Sequence, residues 1–272
     1  LVDVPCPSQV YELHRFITAD YWGSARDQIR TELGNVHVLP ICGASGDQNP
    51  LDLVRLSKIN KQELIDWNAQ AGEVFRNINM EEECRLIGAR ITEAVVRGFS
   101  KAKNYIQTDP VFIHSTFSLE LPIRKVSEED YTEALEKIEE TKRKFSPEKR
   151  MSSADQVSMF EPIGIVQRWE QQQESEQYAF QANIMRLGTI AIATNPFELF
   201  VDYGLRIRAR CKAEQVCICQ LTNGVGGYLP TAAAVAGGSY SSKPASTVVG
   251  PESGDKLVER VIKEIDALWQ TM

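Results

Sequence analysis

Residues with chemical potential gather in a few short stretches of this chain. In Thr194-Asn195-Pro196-Phe197-Glu198-Leu199-Phe200-Val201-Asp202 a carboxylate follows the apolar run Thr189 to Ala193. Two readings are open for it. Asn195 as a helix cap, Pro196 at the first helical position and Glu198 at the third would form a capping box, with the carboxylate bonding back to the cap. Alternatively, Glu198 projects beyond the carboxyl end of a strand, where α/β proteins place ligands. If the helix continues through Asp202, Glu198 and Asp202 lie one turn apart on one face. Such a pair serves as acid/base or metal groups, or simply as a solvated pair.

Three other segments carry polar groups at expected strand ends. Cys6 follows the strand-like Leu1-Val2-Asp3-Val4-Pro5. The loop Cys42-Gly43-Ala44-Ser45-Gly46-Asp47-Gln48-Asn49-Pro50 follows Val36 to Ile41. Its glycines let backbone N–H groups turn toward a bound oxygen or anion, and Asp47 and Asn49 add side chains. It is neither a dinucleotide fingerprint nor a P-loop. Finally, Asn223-Gly224-Val225-Gly226-Gly227-Tyr228 follows the strand Val216 to Leu221 and leaves an aromatic hydroxyl near its end, with Tyr240 twelve residues on. The three histidines, His14, His37 and His114, include no pair at metal-ligand spacing.

The elements that must position these groups are read from periodicity. Asp20 opens a helix with Trp22, Ala25, Ile29 and Leu33 at helical spacing, closed by Gly34. A second helix runs from Glu81 to about Gly98 on an apolar stripe of Cys84, Ile87, Gly88, Ile91, Ala94 and Val95, with Gly88 and Ala94 allowing close packing. Val111 to Ile123 alternates as a half-buried strand, with His114 on its polar face. Ser127-Glu128-Glu129-Asp130 starts a peripheral helix. Phe145 to Asp155 reads as a loop, and residues 51 to 79 carry no clear pattern. Tyr178 to Met185, a turn at Leu187-Gly188, and Thr189 to Ala193 read as an antiparallel pair. Leu257, Val261, Ile265 and Leu268 mark a closing helix. The expected architecture is α/β: a layered mixed sheet with flanking helices and a ligand site at strand ends. With no flexible linker, residues 1–272 are expected to form a single domain, incomplete at its N-terminus because the chain begins on Leu1 in mid-strand.

A net charge of -7 over 272 residues argues against nucleic-acid binding as the main role, since that calls for a basic stripe. No apolar run approaches the length of a transmembrane helix. Six scattered cysteines form no disulfide framework and lean toward a reducing, cytoplasmic compartment, although any signal peptide would lie upstream of Leu1. Cys217 and Cys219 share one strand face as core residues or a weak thiol pair.

Taken together, these motifs resemble the neutral (non-lysosomal) ceramidases, in particular the broad bacterial group of ceramidase-like proteins. Gly46-Asp47-Gln48-Asn49-Pro50 is similar to the family's Gly-Asp-x-Ser-Pro loop. Thr194 to Glu198 resembles the segment whose glutamate is a zinc ligand. Asn223 to Tyr228 resembles the segment whose tyrosine is another, and Tyr240 falls at the spacing of the family's second active-site tyrosine. Ile17-Thr18-Ala19-Asp20-Tyr21-Trp22-Gly23 resembles the Ser-x-Asp-x-x-Gly sequence that follows a zinc-binding histidine.

The resemblance implies a zinc-dependent hydrolase of an amide (N-acyl) bond acting on a small-molecule or lipid-like substrate. Glu198, Tyr228 and Cys6 would hold zinc, Tyr240 would stabilise an oxyanion, and Asn49 with Asp47 would shape the loop. Departures from the pattern are informative. Cys6 aligns with a zinc histidine, and a thiolate is a competent zinc ligand. Asn49 stands where the family has serine, which excludes a hydroxyl nucleophile at that position. The family's upstream segment, with a further zinc histidine and an arginine, has no counterpart in this chain. The alternative to an enzyme is a non-catalytic binding or structural protein of the same fold that has lost the metal. A third reading makes Cys6 a nucleophile, which would require a nearby base.

Overall fold

The structure is a computed structural model. It describes residues 1–12, 14, 16–52, 79–145 and 151–270, with the side chains of 153 and 154 excepted. Most of the unpatterned stretch from 51 to 79, and residues 146–150 of the expected loop, lie outside the described residues. By internal contacts the chain divides into two compact units. One comprises Leu1–Cys42 and Gln48–Pro110, the other Gly43–Asp47 and Val111–Met272.

In the N-terminal unit, β1 (Val2–Val4) pairs in parallel with β2 (Pro40–Cys42). The strand expected over Val36 to Ile41 is therefore shorter and shifted, beginning only at Pro40. Helix α1 (Asp20–Leu33) forms as its spacing predicts. The Asp20 carboxylate accepts from the backbone N–H groups of Tyr21 at 2.8 Å and Tyr11 at 3.0 Å, and Gly34 ends the helix with φ 79°. Helix α2 (Met80–Ala102) is capped by Asn79, whose side chain accepts from the Glu82 N–H. The two helices bury Tyr21, Trp22 and Ala25 against Met80, Cys84 and Ile87. Gly88 permits the approach, because a Cβ there would lie 2.8 Å from Ser24 Oγ and 2.9 Å from Ala25 N. Ala94, expected to share this role, is exposed.

The C-terminal unit is built on a four-stranded sheet in the order β3 (Phe112–Pro122), β4 (Gln177–Leu187), β5 (Ile190–Thr194) and β7 (Gln215–Cys219). The first two pairings are antiparallel and the third parallel, so the sheet is mixed. Alternation in β3 places Phe117 and Leu121 in the core and His114 outside, where its Nε2 lies 2.9 Å from Asn183 Oδ1. Helix α3 (Glu128–Arg143) carries a full capping box of Ser127 and Asp130. α4 (Ser153–Ser158) replaces the end of the expected loop, and α5 (Phe160–Glu174) follows it. A short strand β6 (Glu198–Leu199) precedes α6 (Val201–Arg210) and pairs in parallel with β8 (Tyr228–Leu229). Then come α7 (Ala232–Gly237), 3-10 turns at Tyr240–Ser242 and Pro244–Ser246, and the closing helix α8 (Glu252–Ala267). Leu257, Val258, Val261 and Ile265 of α8 are sealed in the core beside Leu121, Ile184 and Ala191 of the sheet. The α/β class, with a mixed sheet and flanking helices, is as the sequence predicts. Among the described residues no helix is long and apolar enough to cross a membrane.

Candidate functional site

The capping-box reading of Glu198 is corrected by the structure. Glu198 lies in β6, and helix α6 begins only at Val201. The Asn195 side chain accepts from the N–H of Phe197 at 3.0 Å, a turn rather than a helix cap. Glu198 and Asp202 therefore do not share a helix face, and Asp202 instead lies 3.7 Å from Arg206.

Backbone pairing decides this local structure. Residues 195–200 are laced to residues 219–229: Asn195 N–H donates to Cys219 O (3.0 Å), Thr222 N–H to Asn195 O (2.8 Å), Gly226 N–H to Pro196 O (2.9 Å) and Glu198 N–H to Gly227 O (2.9 Å). Gly46 N–H donates to Leu199 O at 2.8 Å from the other side. Only glycine suits position 46, since a Cβ would collide with the Glu198 carbonyl. The loop before Tyr228 turns sharply, with positive φ at Leu221 (53°), Asn223 (59°) and Gly227 (63°), so β7 ends at Cys219 rather than at Leu221.

In the β6–β8 ladder Glu198 pairs with Tyr228 and Leu199 with Leu229. Partners in register point to the same face of a sheet. Both leucines are fully buried, so the Glu198 and Tyr228 side chains emerge together on the opposite face. There the Tyr228 hydroxyl sits beside the Glu198 carboxylate, near enough for each to shift the other's ionisation. A hydrogen bond of 3.1 Å links Tyr228 Oη to Tyr240 Oη, the rings meeting edge to face at 5.7 Å. Burial raises the Glu198 carboxyl above its ordinary range, and the Tyr228 hydroxyl only partly opposes this. Burial is also the main cause holding the Tyr228 phenol well above its ordinary value, reinforced by Tyr240 and Glu198.

Three of the six expected site residues, Glu198, Tyr228 and Tyr240, are thus brought together. Asp47 stays in the C-terminal unit, where its Oδ1 accepts from the Val201 N–H at 2.8 Å and caps α6. Asn49 belongs to the N-terminal unit, where its Oδ1 accepts from the Leu51 N–H at 2.8 Å. Cys6 follows β1 in that unit. Burial, then the nearby Cys42 and Asp20, push its thiol up to about 11, with Arg90 opposing. A thiol so disfavoured as thiolate is a poor nucleophile.

Sequence reasoning missed two braces. Ser45 and Gln220 exchange two bonds: Ser45 N–H to Gln220 Oε1 (3.1 Å) and Gln220 Nε2 to Ser45 Oγ (3.0 Å). The sequence signal for this was a glutamine closing an apolar strand run. Arg124 Nη1 donates to Ser242 O (2.6 Å) and Thr247 Oγ1 (3.0 Å), fixing the turn that carries Tyr240. No local pattern marks that contact.

The donor chemistry of Glu198 and Tyr228 fits a cation. Glu198 is half-buried, and no cationic side chain is among the groups that shift it. A carboxylate is an ordinary zinc ligand and a phenolate a rarer one. Among the described residues no three His, Cys, Asp or Glu side chains are grouped to hold a metal.

Comparison with solved structures decides the fold family. A ceramidase complexed with C2 matches with a TM-score of 0.58 and 15% identity, covering 99% of this chain and 45% of that one. The neutral ceramidase from Pseudomonas aeruginosa matches equally, covering 99% of this chain and 44% of that one. The fold is ceramidase-like. The chain spans less than half the length of these proteins. No family model matches it, and no curated protein matches it by sequence.

Proposed function

We propose that the chain is part of a ceramidase-like hydrolase of an N-acyl amide or related bond in a small or lipid-like substrate. The observation that carries this reading is the grouping of Tyr240, Tyr228 and Glu198 on the outward face of the β6–β8 ladder, with the two phenols hydrogen-bonded. The ceramidase-like fold supports it. Zinc belongs to the proposal: Glu198 and Tyr228 would hold it, and once bound it would supply Lewis acidity toward an amide carbonyl or a water.

The chain's own residues have distinct tasks in this scheme. Tyr228, beside Glu198 in the ladder, orients the carboxylate. Tyr240, 67% exposed, offers its hydroxyl to an incoming carbonyl oxygen and stabilises negative charge developing there. Asparagine at position 49 supplies no hydroxyl, so water is the nucleophile. The test is to incubate the purified full chain with zinc and N-acyl amides of short and long acyl chain. Hydrolysis that is lost on chelation, and lost in Glu198→Ala, is the expected result. Stoichiometric zinc indifferent to Glu198→Ala would reject the ligand assignment.

A second reading, a binding protein of the same fold without turnover, is favoured by the asparagine that replaces the family's serine. Zinc-dependent turnover of any N-acyl substrate would remove it.

A further inference from the structure

Cys6 and Cys42 lie at one end of the parallel β1–β2 ladder. Its last register pair is Val4 with Cys42, and a tight turn in which the Cys6 N–H donates to Val4 O at 2.8 Å folds Cys6 back beside that pair. The Cys42 Sγ is 3.8 Å from the Cys6 carbonyl oxygen, and the Tyr21 hydroxyl donates to the same oxygen at 2.7 Å. That carbonyl is therefore held in place, and with it the Cys6 Cα. A carbonyl oxygen lies about 2.4 Å from its own Cα, which puts the Cys42 sulfur within about 6 Å of the Cys6 Cα. The two thiols thus flank one carbonyl, and rotation about each Cα–Cβ bond can turn the sulfurs toward one another. Both residues are half-buried and reduced. Their mutual proximity is also felt electrostatically, since Cys42 helps to raise the Cys6 thiol and both disfavour ionisation of Tyr21.

Cys84 is buried on α2, and Cys217 and Cys219 are two apart on one extended strand.

We propose that Cys6 and Cys42 form a dithiol that closes to a disulfide with a low-molecular-weight disulfide as oxidant, making this end of the N-terminal unit a redox-modifiable site. The Cys42 thiolate attacks the oxidant RSSR, forming a mixed disulfide and releasing RS⁻, which takes up the proton lost by the protein. The second protein thiolate attacks the protein sulfur of that mixed disulfide and expels the other RS⁻, again protonated to RSH. Two protein thiols thus lose two hydrogens and two electrons, and RSSR becomes two RSH. The closed bridge ties β1 to β2 across the intervening α1 and restricts the unfolded chain. The proposal is independent of the hydrolase reading.

The test is to incubate the reduced, folded full chain with oxidised glutathione, alkylate remaining thiols and map the peptides. The expected result is a cross-link joining the Cys6 and Cys42 peptides, a mass loss of two hydrogens, and reversal of both by dithiothreitol. The bridged form should also melt at a higher temperature than the reduced form. In Cys42→Ser the cross-link should vanish. Separate glutathione adducts on Cys6 and Cys42 in the unmutated chain, with no cross-link between them, would overturn the proposal. So would a two-hydrogen loss that persists in Cys42→Ser. The map of the unmutated chain decides the matter even if that variant does not fold.

Discussion

The Asp47 carboxylate accepts the backbone N–H of Val201 at 2.8 Å, so the helix that follows Glu198 is capped by a residue 154 positions earlier in the chain. The cap and the Gly46–Leu199 backbone bond come from adjacent residues. The glycine loop thereby holds both the strand that presents Glu198 and the helix that leaves it.

Asp47→Ala should remove the cap and destabilise the protein by about 1 kcal/mol. Asp47→Asn keeps an oxygen acceptor and should cost less. Urea unfolding of the two variants checks this. Equal losses would show that the carboxylate's charge, rather than its acceptor oxygen, holds the helix start.

Tyr240→Phe deletes the hydroxyl 3.1 Å from Tyr228 and nothing else. At a site 67% exposed, the change in stability should stay within about 0.5 kcal/mol. If the hydroxyl stabilises an oxyanion, kcat should fall by about 10²-fold with little change in the melting temperature. Steady-state kinetics on an N-acyl amide, paired with thermal melts, separates the two effects.

Glu198 gives stability a pH dependence of defined sign. Burial raises its folded pKa above the ordinary 4.5, so the fold favours the protonated acid. Its contribution is complete below the unfolded pKa and is lost as pH rises through the raised folded value. In metal-free protein, the melting temperature of the unmutated chain should therefore fall relative to that of Glu198→Gln on going from acid toward neutral pH. Melts over a pH series in chelator would show this, and a constant offset between the two proteins would refute it.

Gly254→Ala tests core packing. A Cβ at position 254 would strike the ring of Tyr203, which is 2% exposed and whose hydroxyl donates to Pro230 O at 2.9 Å and lies 3.2 Å from Pro251 O. Overpacking of this kind costs about 1–3 kcal/mol. Gly98→Ala, in open space on α2, should instead stabilise by about 0.4–1 kcal/mol. Denaturation midpoints of the two variants should move in opposite directions.

Legibility in the sequence followed the range of the forces involved. β3, β4 and β5 were readable because alternation along a half-buried strand is a local consequence of burying one face. α2 and α8 were readable because their buried stripes recur at helical spacing. Helices α4 and α5 were not. Val157, Phe160 and Ile163 are exposed, while α5 buries Pro162 and Gly164, residues that read as breakers. Pro162 is tolerated because it lies in the first turn. At Glu198, Asn-Pro-x-Glu is good chemistry both for a cap and for a turn. Backbone bonds to residues 219–229, which no local pattern encodes, decide between them. The motifs singled out Glu198, Tyr228 and Tyr240 but could not foretell the strand pairing that brings them together.

The parallel pairing of Glu198 with Tyr228 sets an address in the backbone that does not depend on the two side chains occupying it. Leu199 and Leu229, sealed in the core, hold that address, and a shift of one residue would turn them outward and the two polar groups inward. The ladder is therefore a two-position socket. Replacing both occupants, for example with a pair of histidines, would install new chemistry at the same place, whereas lengthening the loop between Leu221 and Gly227 by one residue would dismantle the socket with every one of its side chains still present.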